Sequence, residues 1–125
     1  MIQKKRIVVS FIYKAKEFYV NLVQIVSQEK EMSAKNTFNN QLLKSIMHQI
    51  DKIKIRFPQG ISIPKHLIPR ELKIKYKLTN LFYCKLTQGY RMLYSLVRGK
   101  DNMEVLCIIS IIANHKEYEE IMGYN

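Results

Sequence analysis

The last third of the chain gathers most of the side chains fit for chemistry: Lys85, Tyr90, Arg91, Tyr94, Arg98, His115, Lys116, Tyr118 and Tyr124. Cationic groups neutralise phosphates, aromatic rings stack on splayed bases, and an imidazole moves protons near neutral pH. The set suits RNA. Cleavage of an RNA strand needs no protein nucleophile, because the substrate's own 2′-hydroxyl can attack the adjacent phosphate. It needs a group to take that proton, a group to protonate the leaving oxygen, and cations around the phosphorane. Other chemistries find little support. The chain has no Walker loop, dinucleotide fingerprint, HExxH or CxxC. No serine stands at a sharp glycine-lined turn, as a triad hydrolase requires. His48, His66 and His115 are scattered among few acids, so neither a metal site nor a cofactor is expected. Most glutamates are spaced like solvated helix charges.

The charge balance agrees with a polyanionic partner. Twenty-one lysines and arginines against ten acids give a net charge of +11 over 125 residues. Such a field attracts nucleic acid, ribosome, anionic lipid or an acidic protein, without choosing among them. The hydrophobic fraction of 47% excludes a disordered tail and supports one packed domain over residues 1–125. No apolar run is long enough to span a bilayer, and the basic start makes a poor secretion signal, so a cytoplasmic protein without membrane attachment is expected. Cys84 and Cys107 each sit in an apolar run and read as buried thiols.

The elements that must position these groups follow from periodicity. Residues 6–12 are β-branched and aromatic and predict a strand. Phe18, Leu22 and Ile25, with Tyr19, Val23 and Val26, recur at helical spacing from Tyr13 to about Lys30. A second helix is expected from Lys35 or Asn36 to about Arg56, with Phe38, Leu42, Leu43, Ile46, Met47 and Ile50 on its apolar face, stopped by Pro58 and Gly60. So short a link makes the pair an antiparallel hairpin. Residues 57–80 hold all three prolines and read as irregular, with a short helix opening at Pro69. Lys65, Arg70 and Lys73 in that stretch form either a solvated basic loop or a rim for a phosphate backbone. Strands follow at 81–86, 91–98 and 103–113, joined by tight turns, then a short helix from His115 to Met122 with Asn114 as its N-cap. The last three strands should form an antiparallel meander, the hairpin should cover one face, and the other face should be a free, shallow basic surface. This is an α+β domain. Tyr94 is expected in the core.

At this level the residues resemble a known group. Gly89-Tyr90-Arg91-Met92-Leu93-Tyr94 is similar to the GYRLxY strand of the RelE/ParE superfamily of toxin–antitoxin toxins. The ending Asn114-His115-Lys116-Glu117-Tyr118-Glu119-Glu120, with Gly123-Tyr124, resembles the DHKEYExxFGY ending of one branch, with asparagine in place of its aspartate. Pro64-Lys65-His66-Leu67-Ile68-Pro69 and Leu78-Thr79-Asn80-Leu81 also look like that branch, so the likeness covers residues 57–124.

The resemblance implies a RelE-like fold and a toxin that cuts mRNA on the ribosome and is held inactive by an antitoxin. It implies that Arg91 contacts the scissile phosphate and that Lys85, aligned across a one-residue gap, matches a strand lysine. It places His115 and Tyr118 where acid–base and stacking groups stand, with Lys116 in place of an arginine. Lys65, Arg70, Lys73, Arg98 and Tyr124 are the expected RNA-binding residues. Two alternatives stay open: a ParE-like inhibitor of DNA gyrase, and a non-catalytic member that only binds RNA or protein. The bland readings stay open too. Arg91, Lys85 and Lys116 could be solvated charges, His115 could hold the start of the last helix, and Tyr118 could pack that helix to the sheet.

Overall fold

Two helices with apolar stripes must bury them on something, and here the partner is a sheet. The computed structural model describes residues 5–55 and 60–123. In chain order they form β1 (Arg6–Phe11), α1 (Tyr13–Glu31), α2 (Phe38–Ile55), β2 (Ile61–Ser62), α3 (Arg70–Tyr76), β3 (Phe82–Lys85), β4 (Arg91–Arg98), β5 (Glu104–Ala113) and α4 (His115–Met122). Single turns of 3-10 helix occupy Lys65–Leu67 and Thr87–Gly89. The expected end of the second helix at Arg56, and its stop at Pro58, lie outside the described residues.

α1 buries Ala15, Leu22 and Val26, and α2 buries Leu42, Ile46, Ile50 and Ile53. α2 begins two or three residues later than the spacing suggested, because Thr37 caps it: the Asn40 amide donates to Thr37 Oγ1 at 3.0 Å. Glu29, read from sequence as a solvated charge, is instead the clasp of the hairpin link. Its carboxylate accepts from Thr37 Oγ1 at 2.6 Å and from Asn39 Nδ2 at 3.2 Å.

The sheet runs β1-β5-β4-β3-β2. β3, β4 and β5 form the expected antiparallel meander, but β1 joins β5 in parallel, so the sheet is mixed rather than antiparallel throughout. β5 therefore has a strand on each side, and its near-continuous apolar sequence fits a strand covered on both faces. Along β4, Met92 and Tyr94 face the hairpin while Leu93 faces away. A bulge keeps β5 in step. Leu93 opposes Ile111 and Tyr94 opposes Ile109, leaving Ser110 as the extra residue. Ile109 and Ile112 thus pack under the hairpin, and Ile111 and Ala113 on the other side.

That other side differs from the expectation of a free surface. Ile63, Ile68, Leu72, Leu81, Leu93, Ile111, Ala113, Tyr118 and Met122 make a second, smaller core. The reason is that α3 and α4, short as they are, carry apolar pairs four apart: Leu72 with Tyr76, and Tyr118 with Met122. α4 is capped by a reciprocal pair. The Glu117 amide donates to Asn114 Oδ1 at 2.8 Å, and the Asn114 amide donates to Glu117 Oε1 at 3.1 Å. Gly60 lets the chain re-enter the sheet at close range. A side chain there would start 2.5 Å from the Tyr83 carbonyl oxygen, and its amide donates to Tyr94 Oη at 2.7 Å. Among the described residues no helix is long and apolar enough to cross a membrane.

Candidate functional site

The strand register brings the predicted groups to one end of the second face. Lys85 and Arg91 are direct cross-strand partners, and Arg91 is also opposite Ala113 of β5. Directly opposed residues of antiparallel strands share a face. Tyr83 and Leu93 belong to the second core, and Lys85 and Arg91 each follow the same alternation. The face of Lys85, which sequence could not settle, is therefore that of α4. β5 ends at Ala113, Asn114 caps the next helix, and His115 is its first residue. The turn before β4 is equally close. Gly89 has φ +78°, and a side chain there would begin 3.6 Å from the His115 Cβ. The positive φ is what calls for glycine at this turn, and the 3.6 Å spacing shows how near the turn comes to the histidine.

Arg91 is held from both ends. Its Nη1 donates to the Gly89 and Tyr90 carbonyl oxygens at 3.1 and 3.3 Å. Its guanidinium carbon lies 5.7 Å from the centre of the Tyr118 ring, in reach of a cation–π contact. Tyr118 in turn packs on Tyr83, ring centres 5.7 Å apart, and only 6% of it is exposed. A ring so covered offers no free face to a base. Tyr118 thus forms a platform under Arg91 and packs α4 to the sheet.

His115 is open to solvent, with 60% of its side chain exposed, and its Nε2 is paired with Glu119 Oε1 one helical turn on. A neutral imidazole that donates from Nε2 keeps Nδ1 as its acceptor. Lys116, next in the helix, is exposed. Lys85 shares a cavity of about 260 Å³ with Lys52 of α2. Lys52 was overlooked because it sits in an ordinary run of helix charges, and only tertiary packing brings it to the edge of β3.

Other predicted residues stand elsewhere. Arg98 is at the opposite end of β4, seven residues from Arg91, or about 24 Å along a strand. Lys65, Arg70 and Lys73 are exposed on the elements that cover the second face. Tyr124 lies outside the described residues. Tyr94 is fully buried, as expected. Both thiols are buried and free.

The site thus brings Lys85, Arg91 and the start of α4 to one end of one face, with Arg91 set on the Tyr118 ring and on two backbone carbonyls. Comparison with family models, with curated proteins and with solved structures finds no match.

Proposed function

We propose that this patch binds an RNA phosphodiester and that the protein is a RelE-like toxin of a type II toxin–antitoxin system, an endoribonuclease acting on mRNA at the ribosome. One observation carries the reading: the β3–β4–β5 register brings Lys85, Arg91 and the helix that opens with His115 to the same end of one face. In the reaction, the substrate 2′-oxygen attacks phosphorus and the bond to the 5′-oxygen breaks, leaving a 2′,3′-cyclic phosphate and a 5′-hydroxyl. His115 Nδ1 takes the 2′-hydroxyl proton, Glu119 steadies the imidazolium that forms, and a solvent water at this exposed site protonates the departing 5′-oxygen, the imidazolium then giving its proton back to solvent. Arg91 and Lys85, with Lys116 at the rim, balance the charge on the phosphorane oxygens. Arg91 suits this role because its guanidinium is already anchored, so little ordering remains to be done on binding. The ribosome supplies the in-line geometry that an open patch cannot impose. An antitoxin, the expected partner, restrains the activity.

The test is an assay of programmed ribosomes with mapping of mRNA ends. Arg91→Ala and His115→Ala should each lower cleavage at least about 100-fold while thermal midpoints stay near that of the parent. A 2′-deoxynucleotide at the cut position should block cleavage. If both variants cut like the parent, the assignment fails. Inhibition of gyrase supercoiling without any mRNA cleavage would move the protein to the ParE-like alternative.

A further inference from the structure

We infer that the cavity between α3, α4 and β5 is a site for a short aliphatic zwitterion, a molecule of the ω-amino acid class with a carboxylate at one end and an ammonium group at the other. The cavity holds about 410 Å³, inside the range of about 300 to 1,000 Å³ common for small-molecule sites. Its middle is apolar, lined by Leu72, Ile111 and Ile121 of the second core. Its two ends differ in charge. The Ile12 amide donates to the Ile109 carbonyl oxygen at 3.0 Å, which sets the start of α1, with Lys14, beside Ser110. Tyr13 packs on Tyr76 with ring centres 5.2 Å apart, which brings the last turn of α3, with Lys75, to the same end. β5 runs on from Ser110 to Ala113, about 10 Å. There α4 begins and brings Glu117 and Glu120 to the lining. Glu71 lies about 6 Å back along α3 from Lys75, away from the Tyr13 end. Lysines thus line one end and glutamates the other.

Two observations point to an occupant. Ser110 Oγ is fully buried, belongs to a residue on the lining, and has no hydrogen-bond partner among the described residues. A buried hydroxyl left unmatched is costly, and a carboxylate held at the lysine end would accept its proton. The second observation is that Lys14, Glu71, Lys75 and Glu120 are exposed yet make no ion pair among the described residues. Glu71 and Lys75 even have the spacing and order that favour a pair on a helix. Opposite charges kept apart across an aliphatic floor fit one molecule that carries both. A simple cation would meet Lys14 and Lys75, and a simple anion would meet the glutamates. Three of the ten acids of this chain line the cavity, although its net charge is +11, so the place is ill suited to a phosphate. A bound zwitterion would tie α3 to α4, the helix that sets Tyr118 under Arg91.

The probe is ε-aminocaproate, titrated into the full chain and followed by two-dimensional amide NMR. Hexanoate, pentylamine and glycine are run in parallel; they lack the ammonium group, the carboxylate and the span, respectively. ε-Aminocaproate should bind with a dissociation constant on the order of 1 mM. It should shift the amides of Leu72, Ser110 and Ile111 and slow hydrogen exchange in α3 and α4. Each of the other three compounds should bind about tenfold more weakly or worse. Ser110→Ala breaks no internal hydrogen bond, so its thermal midpoint should match the parent while affinity falls about fivefold. Lys14→Gln with Lys75→Gln, and Glu71→Gln with Glu120→Gln, change only exposed residues and should each weaken binding about tenfold or more. Glu117 is left in place because it caps α4. Equal affinity for hexanoate, pentylamine or glycine overturns the inference. So does the lack of any saturable shift up to about 20 mM, or binding that all three variants leave unchanged. None of these measurements reads mRNA cleavage, so this inference and the ribonuclease reading fail separately.

Discussion

The two sides of the sheet are covered to very different depths. α1 and α2, with 19 and 18 residues, close the hairpin side. α3 and α4, with 7 and 8 residues, close part of the other. Helices under about 12 residues are marginal alone, so α3 and α4 persist because Leu72, Tyr118 and Met122 are docked. Lys85, Arg91 and His115 all belong to this thinner side. The hairpin side supplies stability, and the second side uses a small core to aim charged groups at solvent.

The largest effect that tests this contrast is a pair of truncations. Ile46 is fully buried under the hairpin, and Ile46→Ala should cost about 4 kcal/mol in chemical denaturation. Leu72→Ala in the small core should cost about 3 kcal/mol. Amide hydrogen exchange separates the two. Amides of α3 and α4 should exchange through a local opening that leaves the hairpin core shut. Their rates should rise in Leu72→Ala and stay unchanged in Ile46→Ala, while amides of β5 speed up in both. If Ile46→Ala accelerates α3 and α4 as much as β5, the two sides open as one unit and the contrast is wrong.

A smaller effect sharpens the boundary between the covered and uncovered parts of the second face. β3 begins at Phe82, so nothing on that strand pairs with Leu96. Asn80 stands in for the missing strand. Its Nδ2 donates to the Leu96 carbonyl and its Oδ1 accepts from the Leu96 amide, both at 2.8 Å. Its own carbonyl accepts from Ser95 Oγ at 2.7 Å. Asn80→Ala removes two such bonds and should cost about 2 kcal/mol by denaturant titration. Asn80→Asp keeps the acceptor and loses the donor, so it should lie between. A cost near zero for the alanine would mean that water replaces the side chain.

What sequence made legible follows the same division. The hairpin, the meander and the last helix could be read because their signals are local: Leu42, Ile46 and Ile50 at helical spacing, a glycine turn before Arg91, and Asn114 ahead of His115. The parallel seat of β1 could not be read, since nothing in residues 6–11 says which later strand they will meet. The cover on the second face was missed because Leu72 and Tyr76 look like two apolar residues in a basic stretch until Tyr118 and Met122 lie beside them. Arg91, Lys85 and His115 could be named from residue type. Their shared end required the register, and the role of Tyr118 required its burial.

The finest probe starts from two thiols that the hairpin side already carries. Cys84 and Cys107 both pack under the hairpin. Burial pushes each thiol from about 9 up to about 12; nearby Lys52 opposes this slightly at Cys84, and Cys84 adds to it at Cys107. At pH 8 the folded protein therefore presents almost no thiolate, and alkylation must wait for the hairpin to open. Iodoacetamide labelling should be as slow as exchange of the slowest β5 amides, and slower than exchange in α3 and α4. The same shift fixes a pH dependence. A group whose folded pKa exceeds its unfolded value favours the fold fully below the unfolded value, and that contribution is lost as pH rises. Stability should fall between about pH 9 and pH 12, and replacing both cysteines with alanine should flatten that slope. Labelling as fast as α3 exchange would show that the short helices guard the hairpin core as well.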